Sequence, residues 1–250
     1  MKVTAIKTKK VEVGDKLFDI LDEYLPKLQE NSIVAVTSKI ISITEGRVDP
    51  HDSDEYRDEL AKKEAEFYIP VELSQYNFMI TINHNVLVAR AGIDHSNGHG
   101  NLVLWPKDPQ KSANEIREYL VSKRGIKNVG VIITDSRLSP LRMGVTGVSI
   151  AHSGFETLIN YVGKPDIFGR LMLVEKSNVP DSLATAAVIE MGEGDEQQPL
   201  AIIEDAKFVK FQERNPTKEE LAGLRINVEE DVFAPFLAAA KWIRGGGGKD

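Results

Sequence analysis

The segment that most constrains this chain runs from Asn128 to Gly147 and reads NVGVIITDSRLSPLRMGVTG. It opens with an apolar, β-branched run that is typical of a buried strand. Polar side chains follow at once, led by Asp135 and Ser136, and a loop containing Pro140 and Arg142 comes next. A strand that ends on an acid and a hydroxyl often presents ligands at a sheet edge, although a loop acid on its own is more often simply solvated. Other segments of the same chemical character are therefore needed to indicate a site.

The composition limits the chemistry that such a site can use. The chain has 250 residues, 42% of them hydrophobic, which is enough to bury a core as one large domain or as two closely joined ones. It contains no cysteine, which excludes disulfides, zinc-thiolate sites, iron–sulfur clusters and thiol nucleophiles. Any metal ion must therefore be held by oxygen or imidazole ligands.

The charge and the apolar runs indicate the environment of the chain. A net charge of −7 and a pI near 5.4 argue against a nucleic-acid or anionic-membrane surface, while a local basic pocket for a phosphate stays compatible with them. No apolar run reaches the roughly 20 residues needed to cross a bilayer, and MKVTAIKTKK lacks the apolar core of a signal peptide. We expect a soluble, cytoplasmic protein with no nucleic-acid or membrane partner.

Hydrophobic periodicity and turn residues predict strands and helices along the whole chain. The predicted strands are residues 2–7, Ile33–Val36, two short strands between Phe78 and Ala89 around a turn at Asn83–Asn85, the strand beginning at Val129, Val148–Ala151 and the LAIIE segment. The predicted helices span Gly14 to about Glu30, 51–67 as a solvated surface helix, Asp108 to about Lys123 and Pro180–Gly192, with one short and one longer helix after Pro216. The final RGGGGKD is predicted to be a flexible terminus.

Further segments share the chemistry of the first one. Lys39 follows the strand Ile33–Val36 and is a candidate phosphate ligand, or else a lysine that extends from a strand end into solvent. Asp94 and Asn97 lie in the glycine-rich segment ARAGIDHSNGHG and carry more weight there than its histidines. Glu193 lies in GEGDEQQP, which forms either part of an acidic site or an exposed turn.

These segments suit one kind of site when they are taken together. Three acidic loops and one lysine loop each lie next to a predicted strand, which is the arrangement that a metal–nucleotide site needs. Magnesium and manganese prefer oxygen ligands, usually one or two carboxylates with water and phosphate oxygens in the remaining positions. The sequence thus favours a metal–phosphate site, although each loop also has a purely structural explanation.

An ordered series of motifs runs through the chain, and its members are TSKIISITEGR, AGIDHSN, WPKDPQKSANEIR, VGVIITDS with PLRMG, and MGEGDEQQP. The series resembles the coenzyme F420-0:γ-glutamyl ligase family, and the likeness covers most of residues 1–211. It implies an α+β fold with mixed or antiparallel sheets, flanking helices and two intimately joined subdomains. It also implies a homodimer, with residues 212–244 as a helical extension and 245–250 as a flexible tail.

The same resemblance implies a GTP- and divalent-metal-dependent, GDP-forming ligase that joins L-glutamate to a carboxylate acceptor through an acyl phosphate. The metal would be Mg²⁺ or Mn²⁺. The positions that match metal ligands of the family are Asp94, Asp135 and Ser136, with Glu193 where the family often has a glutamine. The positions that match nucleotide contacts are Ser38, Lys39, Asn97 and Gly192–Pro199, including Gly192, Gly194 and Asp195. Lys39 would neutralise the triphosphate, and Arg142 is a candidate for pairing with a substrate carboxylate.

Departures from the family pattern concern the acceptor. Ile43 stands where members commonly carry a lysine, and only Pro140 and Arg142 survive from an aromatic and arginine-rich run at positions 137–142. Two alternatives follow from this. The first alternative is a γ-glutamyl ligase for another acceptor such as a folate. The second is a nucleotide-binding protein that has lost ligation.

Overall fold

The computed structural model describes residues 1–50 and 53–248 and has a mixed α+β fold. Within this range the strands are β1 (Lys2–Ile6), β2 (Ser32–Thr37), β3 (Val48–Pro50), β4 (Phe67–Ile69), β5 (Ile80–Asn83), β6 (Val86–Ala89), β7 (Asn101–Val103), β8 (Val129–Leu138), β9 (Val145–Ser153), β10 (Leu158–Asn160), β11 (Lys176–Asn178), β12 (Leu200–Glu204) and β13 (Ile243–Arg244). The α-helices are α1 (Leu17–Tyr24), α2 (Ser38–Thr44), α3 (Asp54–Glu64), α4 (Pro109–Arg124), α5 (Val179–Met191), α6 (Lys218–Ala222) and α7 (Ala234–Leu237).

The central sheet has five strands in the order β1-β12-β2-β8-β9. Strands β2 and β8 are parallel and the other neighbours are antiparallel. Helices α1, α2 and α4 pack on one face and α5 packs on the other. Because both faces are covered, the inner strands read as nearly continuous apolar runs, as in VGVII.

A second, antiparallel sheet has the order β13-β4-β5-β6. Leu60 and Ala61 of α3 are buried in one hydrophobic cluster with Met79, Ile93, Leu102 and Leu104. Its β5–β6 hairpin turns through His84 and Asn85, whose φ angles are 47° and 62°. Left-handed conformations at both turn positions match the right-handed twist of the flanking strands. The predicted hairpin is thus confirmed.

Three predicted helices with explicit end signals are confirmed. Asp108 accepts a hydrogen bond from the backbone N–H of Lys111 at 2.9 Å at the start of α4, and Gly125 ends that helix at φ 66°. Helix α5 ends at Gly192 as predicted. The surface helix expected over 51–67 is observed as α3, and its first predicted residues, 51 and 52, lie outside the described residues.

One predicted helix near the N-terminus was wrong in extent. Helix α1 ends at Tyr24 and not near Glu30, because Leu25 precedes Pro26 and adopts an extended ψ of 123°. The β-branched run after β2, for which no element was predicted, forms helix α2, since its residues Ile40 and Ile41 pack into the core under the central sheet. Tertiary burial overrides β propensity here.

Strand β8 is longer than the predicted one. It runs on to Leu138, so Asp135 and Ser136 lie within the strand and not in a loop after it. A register irregularity between Ile133 and Thr134 precedes them, in the pairing with β9. Such irregularities turn the side chains of a strand in new directions next to functional sites.

The C-terminal segment contains the short helices α6 and α7, whereas a short and a longer one were predicted. The backbone N–H groups of residues 245–248 donate to carbonyls at the end of α3, including Lys62, Lys63 and Ala65. A Cβ at Gly245 would lie 2.2 Å from the carbonyl oxygen of Ala65, so only glycine fits there. The glycine run that we expected to be flexible is therefore a docked cap over residues 245–248.

No helix within residues 1–50 and 53–248 combines the length and apolarity that crossing a membrane requires. The expected division into two joined subdomains, and the boundary at residue 211, stay predictions.

Candidate active site

A cleft of about 750 Å³ opens where the central sheet meets the β6–β7 connection. Its walls come from five parts of the chain: residues 8–12, the start of α2, the segment around Asp94, the polar half of β8, and the connection between α5 and β12. Parallel pairing of β2 with β8 brings Thr37 opposite Thr134, which places Lys39 and Asp135 at the same end of the sheet. Topology therefore brings together segments that are far apart in sequence.

Lys39 lies in the first turn of α2 and reaches across the cleft to Asp94. Its Nζ is 2.5 Å from Asp94 Oδ2 and donates to the backbone oxygen of Ser96 at 2.9 Å. Ser96 also donates to Asp94, from its N–H at 2.8 Å and its hydroxyl at 3.0 Å. Burial raises the pKa of Asp94, but Lys39 and Ser96 outweigh it and leave that pKa below its ordinary value. Asp94 is therefore a stable carboxylate.

Asp135 lies in the middle of the polar half of β8. Its Oδ1 accepts from the N–H of Ser136 at 2.8 Å, and its Oδ2 accepts from the indole Nε1–H of Trp105. Burial, and to a smaller extent the charge of Asp94, raise the pKa of Asp135 to about 6 against the opposing hydrogen bonds. Two acids with opposite pKa shifts therefore share one cleft.

The connection from α5 to β12 closes another side of the cleft. Ser136 Oγ donates to Glu193 Oε1 at 2.6 Å, and Asn97 Nδ2 donates to the carbonyl of Gly194 at 3.0 Å. Gly192 has a φ of 82°, and a Cβ there would lie 2.3 Å from Glu196 Cδ. The connection thus requires glycine at its first position and touches two of the other walls.

Backbone and side-chain bonds fix the far end of the same connection. Thr8 and Gln197 exchange bonds, with Thr8 N–H donating at 3.1 Å and Gln197 Nε2 donating at 2.5 Å. The N–H of Thr37, the last residue of β2, donates to the carbonyl of Pro199 at 3.0 Å. Residues 192–199 are thereby held over the edge of the central sheet.

Most of the predicted site residues meet in this cleft. Those that line it are Lys39, Asp94, Asn97, Asp135, Ser136, Gly192, Glu193, Gly194 and Asp195. Ser38 is 5% exposed and lies behind the wall, and Arg142 is exposed in the β8–β9 connection, away from the lining residues. Their roles stay predictions, and Arg142 in this conformation does not reach the acids.

The structure adds residues that the sequence patterns did not single out. Trp105 is 3% exposed and bonds Asp135 from below the cleft. Arg137 lines the cleft with its guanidinium 3.5 Å from Asp181. Of these two residues, only Trp105 had a signal in the sequence, since it begins the motif WPKDPQKSANEIR. Ile43, which the sequence already showed as a departure from the family pattern, also lines the cleft.

The oxygen-rich lining fits a hard divalent cation. Within the part of the chain that the structure describes, no three His, Cys, Asp or Glu side chains are close enough to form a complete metal cage. Mg²⁺ and Mn²⁺ do not need one, because they are commonly held by one or two carboxylates together with water and phosphate oxygens. Asp94 and Asp135 provide two carboxylates within electrostatic reach of each other.

Comparison with known proteins gives a consistent result. The family model described as F420-0:Gamma-glutamyl ligase matches residues 5–205. A protein of Methanococcus maripaludis named Coenzyme F420:L-glutamate ligase is 34% identical over 231 residues, which cover 87% of this chain and 90% of that protein. Proteins of the same name from Methanopyrus kandleri and Methanocaldococcus jannaschii are each 33% identical, over 80% and 76% of this chain and 84% and 81% of those proteins. The chain therefore belongs to the F420-0:gamma-glutamyl ligase family.

Proposed function

We propose that this chain is a ligase that forms an amide between L-glutamate and the carboxylate of a coenzyme F420-type acceptor, with GTP as the phosphate donor and a divalent cation. The observation that carries the proposal is the meeting of Lys39, Asp94, Asp135 and Glu193 in one cleft of a chain of this family. The names of the relatives support glutamate and an F420-type molecule as substrates.

Asp94, Asp135, Ser136 and Glu193 are the residues that would hold Mn²⁺ or Mg²⁺. When bound, the cation would neutralise phosphate charge in the triphosphate. Asp94 is available as a carboxylate at neutral pH, because its ion pair with Lys39 keeps its pKa low. Asp135 is mostly ionised above a pH of about 6.

GTP would lie against the start of α2 and the connection after α5. The ammonium of Lys39 bonds Asp94 and Ser96 in the free protein, and it would exchange part of this contact for phosphate oxygens. Asn97 already contacts the carbonyl of Gly194, so it links the two loops that would enclose the nucleotide. Ser38 would act through its backbone, since its side chain is buried.

The reaction would then proceed in two balanced steps. A carboxylate oxygen of the acceptor attacks the γ-phosphorus, the bond to the bridging oxygen breaks, and GDP leaves. The amine of glutamate attacks the acyl carbon of the resulting acyl phosphate, phosphate leaves with the bonding electrons, and the nitrogen loses a proton. The chain's task is to neutralise the triphosphate and to hold nucleophile and phosphorus in line.

Arg142 would contact a carboxylate of the acceptor or of glutamate after a movement of the β8–β9 connection. The side chains on either side of Arg142, Leu141 and Met143, are both 102% exposed, so no packing of these two side chains opposes such a movement. Arg137 is nearer, since it lines the cleft. The residues that would contact the acceptor are thus less well positioned in the free protein than those that would contact the metal and the nucleotide.

A homodimer accompanies this proposal. The arm between β10 and β11, residues 161–175, exposes Ile167, Phe168, Leu173 and Val174 at 91%, 88%, 76% and 82%. Apolar side chains concentrated on one projecting segment are typical of a surface that another chain covers. A second copy of this chain is the partner that we propose.

Thermal unfolding with GTP, ATP and Mn²⁺, singly and combined, tests the nucleotide site. A ligand at a hundred times its dissociation constant stabilises the folded state by about 2.7 kcal/mol. We expect a large shift only with GTP and Mn²⁺ together. The absence of a shift with every nucleotide would contradict the proposal and leave a role in binding or structure.

A panel of carboxylate acceptors tests the substrate. An F420-type acceptor should consume GTP with formation of the glutamyl amide. Turnover of a folate instead would favour the alternative ligase, which the altered 137–142 segment suggests. Binding of GTP without turnover of any acceptor would favour a protein that has lost ligation.

A further inference from the structure

Trp105 occupies a position between the two acids of the cleft. Asp94 belongs to the connection between β6 and β7, and Asp135 belongs to β8 of the central sheet. The indole of Trp105 is 3% exposed and contacts both segments. It lies two residues after the end of β7 and directly before Pro106, and its carbonyl oxygen accepts a hydrogen bond from Arg47 Nε at 3.2 Å.

The first contact is a hydrogen bond to Asp135. The indole Nε1–H donates to Asp135 Oδ2, and Oδ1 of the same carboxylate accepts from the N–H of Ser136 at 2.8 Å. An indole N–H is a donor only, so Trp105 must donate and the carboxylate must accept, which orients the carboxylate. Together the two donors fix the plane of the Asp135 carboxylate.

The second contact is with the backbone that carries Asp94. A Cβ at Gly92 would lie 2.2 Å from Cε2 and Nε1 of Trp105, so the indole edge packs directly against this glycine. Gly92 ends a short left-handed turn through Arg90 and Ala91, whose φ angles are 47° and 55°. This turn packs on the indole of Trp105 and ends two residues before Asp94 in the sequence.

We propose that Trp105 is a positioning residue that sets the relative placement of Asp94 and Asp135 for the bound cation. One side chain orients the first acid by hydrogen bonding and supports the loop of the second acid by packing. Partners of metal ligands typically change metal affinity by about 10- to 100-fold when they are removed, because they orient the ligands. The inference rests on the proposed metal site.

Mn²⁺ binding by the free protein tests the inference without any turnover. Trp105→Phe keeps an aromatic ring near Gly92 and removes the N–H donor. We expect its dissociation constant for Mn²⁺, measured by electron paramagnetic resonance of the free ion, to rise by about 10- to 100-fold. An unchanged constant in a folded Trp105→Phe protein would overturn the inference.

Trp242→Phe is the matched control, because Trp242 is the other tryptophan of the chain. Its Nε1 donates to the carbonyl of Leu237 at 2.6 Å in the C-terminal segment. The same chemical change there should leave Mn²⁺ affinity as it is in the unsubstituted protein. Equal weakening in both variants would show a general structural effect and contradict the positioning role.

Indole N–H signals in nitrogen-15 NMR spectra keep the inference testable if Trp105→Phe fails to fold. The Trp242→Phe variant assigns the two signals. Asp135→Asn should shift the signal of Trp105, and Mn²⁺ should broaden that signal far more than the signal of Trp242. A Trp105 signal that responds to neither change would overturn the inference.

The outcomes also separate this inference from the proposed function. An unsubstituted protein that binds neither Mn²⁺ nor Mg²⁺, with or without GTP, refutes the metal site and this inference with it. Normal Mn²⁺ binding in the unsubstituted protein and in Trp105→Phe refutes only the inference.

Discussion

At the scale of single residues, the proposed function implies that Lys39 and a divalent cation would compete for the carboxylate of Asp94. The ammonium is 2.5 Å from Asp94 Oδ2 when no ligand is present. In the proposed complex a nucleotide would relieve this competition, because its phosphates would accept the ammonium while the cation takes the carboxylate. Metal and nucleotide are thus expected to bind with positive coupling.

Lys39→Met should therefore have opposite effects on the two ligands. Binding of Mn²⁺ alone should become tighter, because a competing cation is removed. The dissociation constant for GTP should rise roughly tenfold, since a charge-assisted hydrogen bond to phosphate is lost. Isothermal titration calorimetry measures both values.

Lys62→Met is the control for this prediction, since Lys62 forms an ion pair of similar length, 2.6 Å, with Glu59 on the exposed face of α3. It should change neither affinity. A Lys39→Met protein in which both ligands weaken together would contradict the competition.

His152 makes stability depend on pH. Its side chain is 1% exposed on β9, Nε2 has no hydrogen-bond partner, and burial lowers its pKa to about 4. The unfolded chain takes up a proton near the ordinary value of 6.5 while the folded state does not. The free energy of unfolding should thus fall as the pH falls from about 6.5 towards 4, by about 2 kcal/mol between pH 7.5 and 5.

Urea unfolding of His152→Gln at pH 7.5 and pH 5 checks this expectation. The substitution removes the titrating group, so the part of the pH dependence due to His152 should disappear. His99→Gln, at an exposed position, is the control and should keep the dependence. Equal pH dependence in His152→Gln and the unsubstituted protein would show that other groups cause it.

At the scale of secondary structure, the site depends on how closely α5 packs on β9. A Cβ at Gly147 would lie 2.5 Å from the carbonyl oxygen of Ala184 and 2.9 Å from the Cα of Thr185. Helix α5 leads directly into Gly192 and Glu193. A displacement of this helix therefore moves one wall of the cleft.

Gly147→Ala should lower the free energy of unfolding by about 1–3 kcal/mol, because the backbone of α5 must shift to accommodate the methyl group. It should also weaken GTP binding through the connection after α5. Chemical denaturation and a GTP titration measure the two effects. Gly223→Ala, where a Cβ would have ordinary contacts at 3.4 Å, should change neither.

The elements that could be predicted from the sequence are those with local end signals. Helix α4 has Asp108 and Gly125 at its ends, and the strand β12 is an unbroken apolar run. Helix α2 could not be predicted, because its β-branched residues Ile40 and Ile41 are placed in a helix by core packing and not by propensity. Local patterns carry no information on such long-range burial.

The meeting of most candidate residues in one cleft could also be predicted, whereas their roles stay predictions. Lys39, Asp94 and Asp135 are polar residues beside apolar strands, and the ordered motifs indicated which of them belong together. Trp105 was not singled out, because its hydrogen bond to Asp135 joins positions that only the fold brings close. Arg142 shows the converse, since a surviving motif residue lies away from the cleft in this conformation.

At the scale of the whole molecule, the arm of residues 161–175 determines the expected assembly. Phe168→Asp places a charge in the exposed apolar surface of this arm, where Phe168 is 88% exposed. We expect a shift from dimer to monomer in sedimentation velocity, because burying an unpaired carboxylate is costly. Tyr76→Asp, at a residue 87% exposed elsewhere, should leave the dimer intact. A monomeric unsubstituted protein would contradict the proposed assembly.

In the proposed function, one cleft built around Asp94 and Asp135 joins glutamate to an F420-type acceptor. Mass spectrometry of a reaction with GTP, Mn²⁺, L-glutamate and this acceptor is the decisive test. We expect the acceptor to gain one glutamyl unit for each GDP formed, and Asp135→Asn to form neither product while Asp19→Asn, on the exposed face of α1, forms both. Absence of the amide in the unsubstituted protein, or full turnover in a folded Asp135→Asn variant, would refute this function.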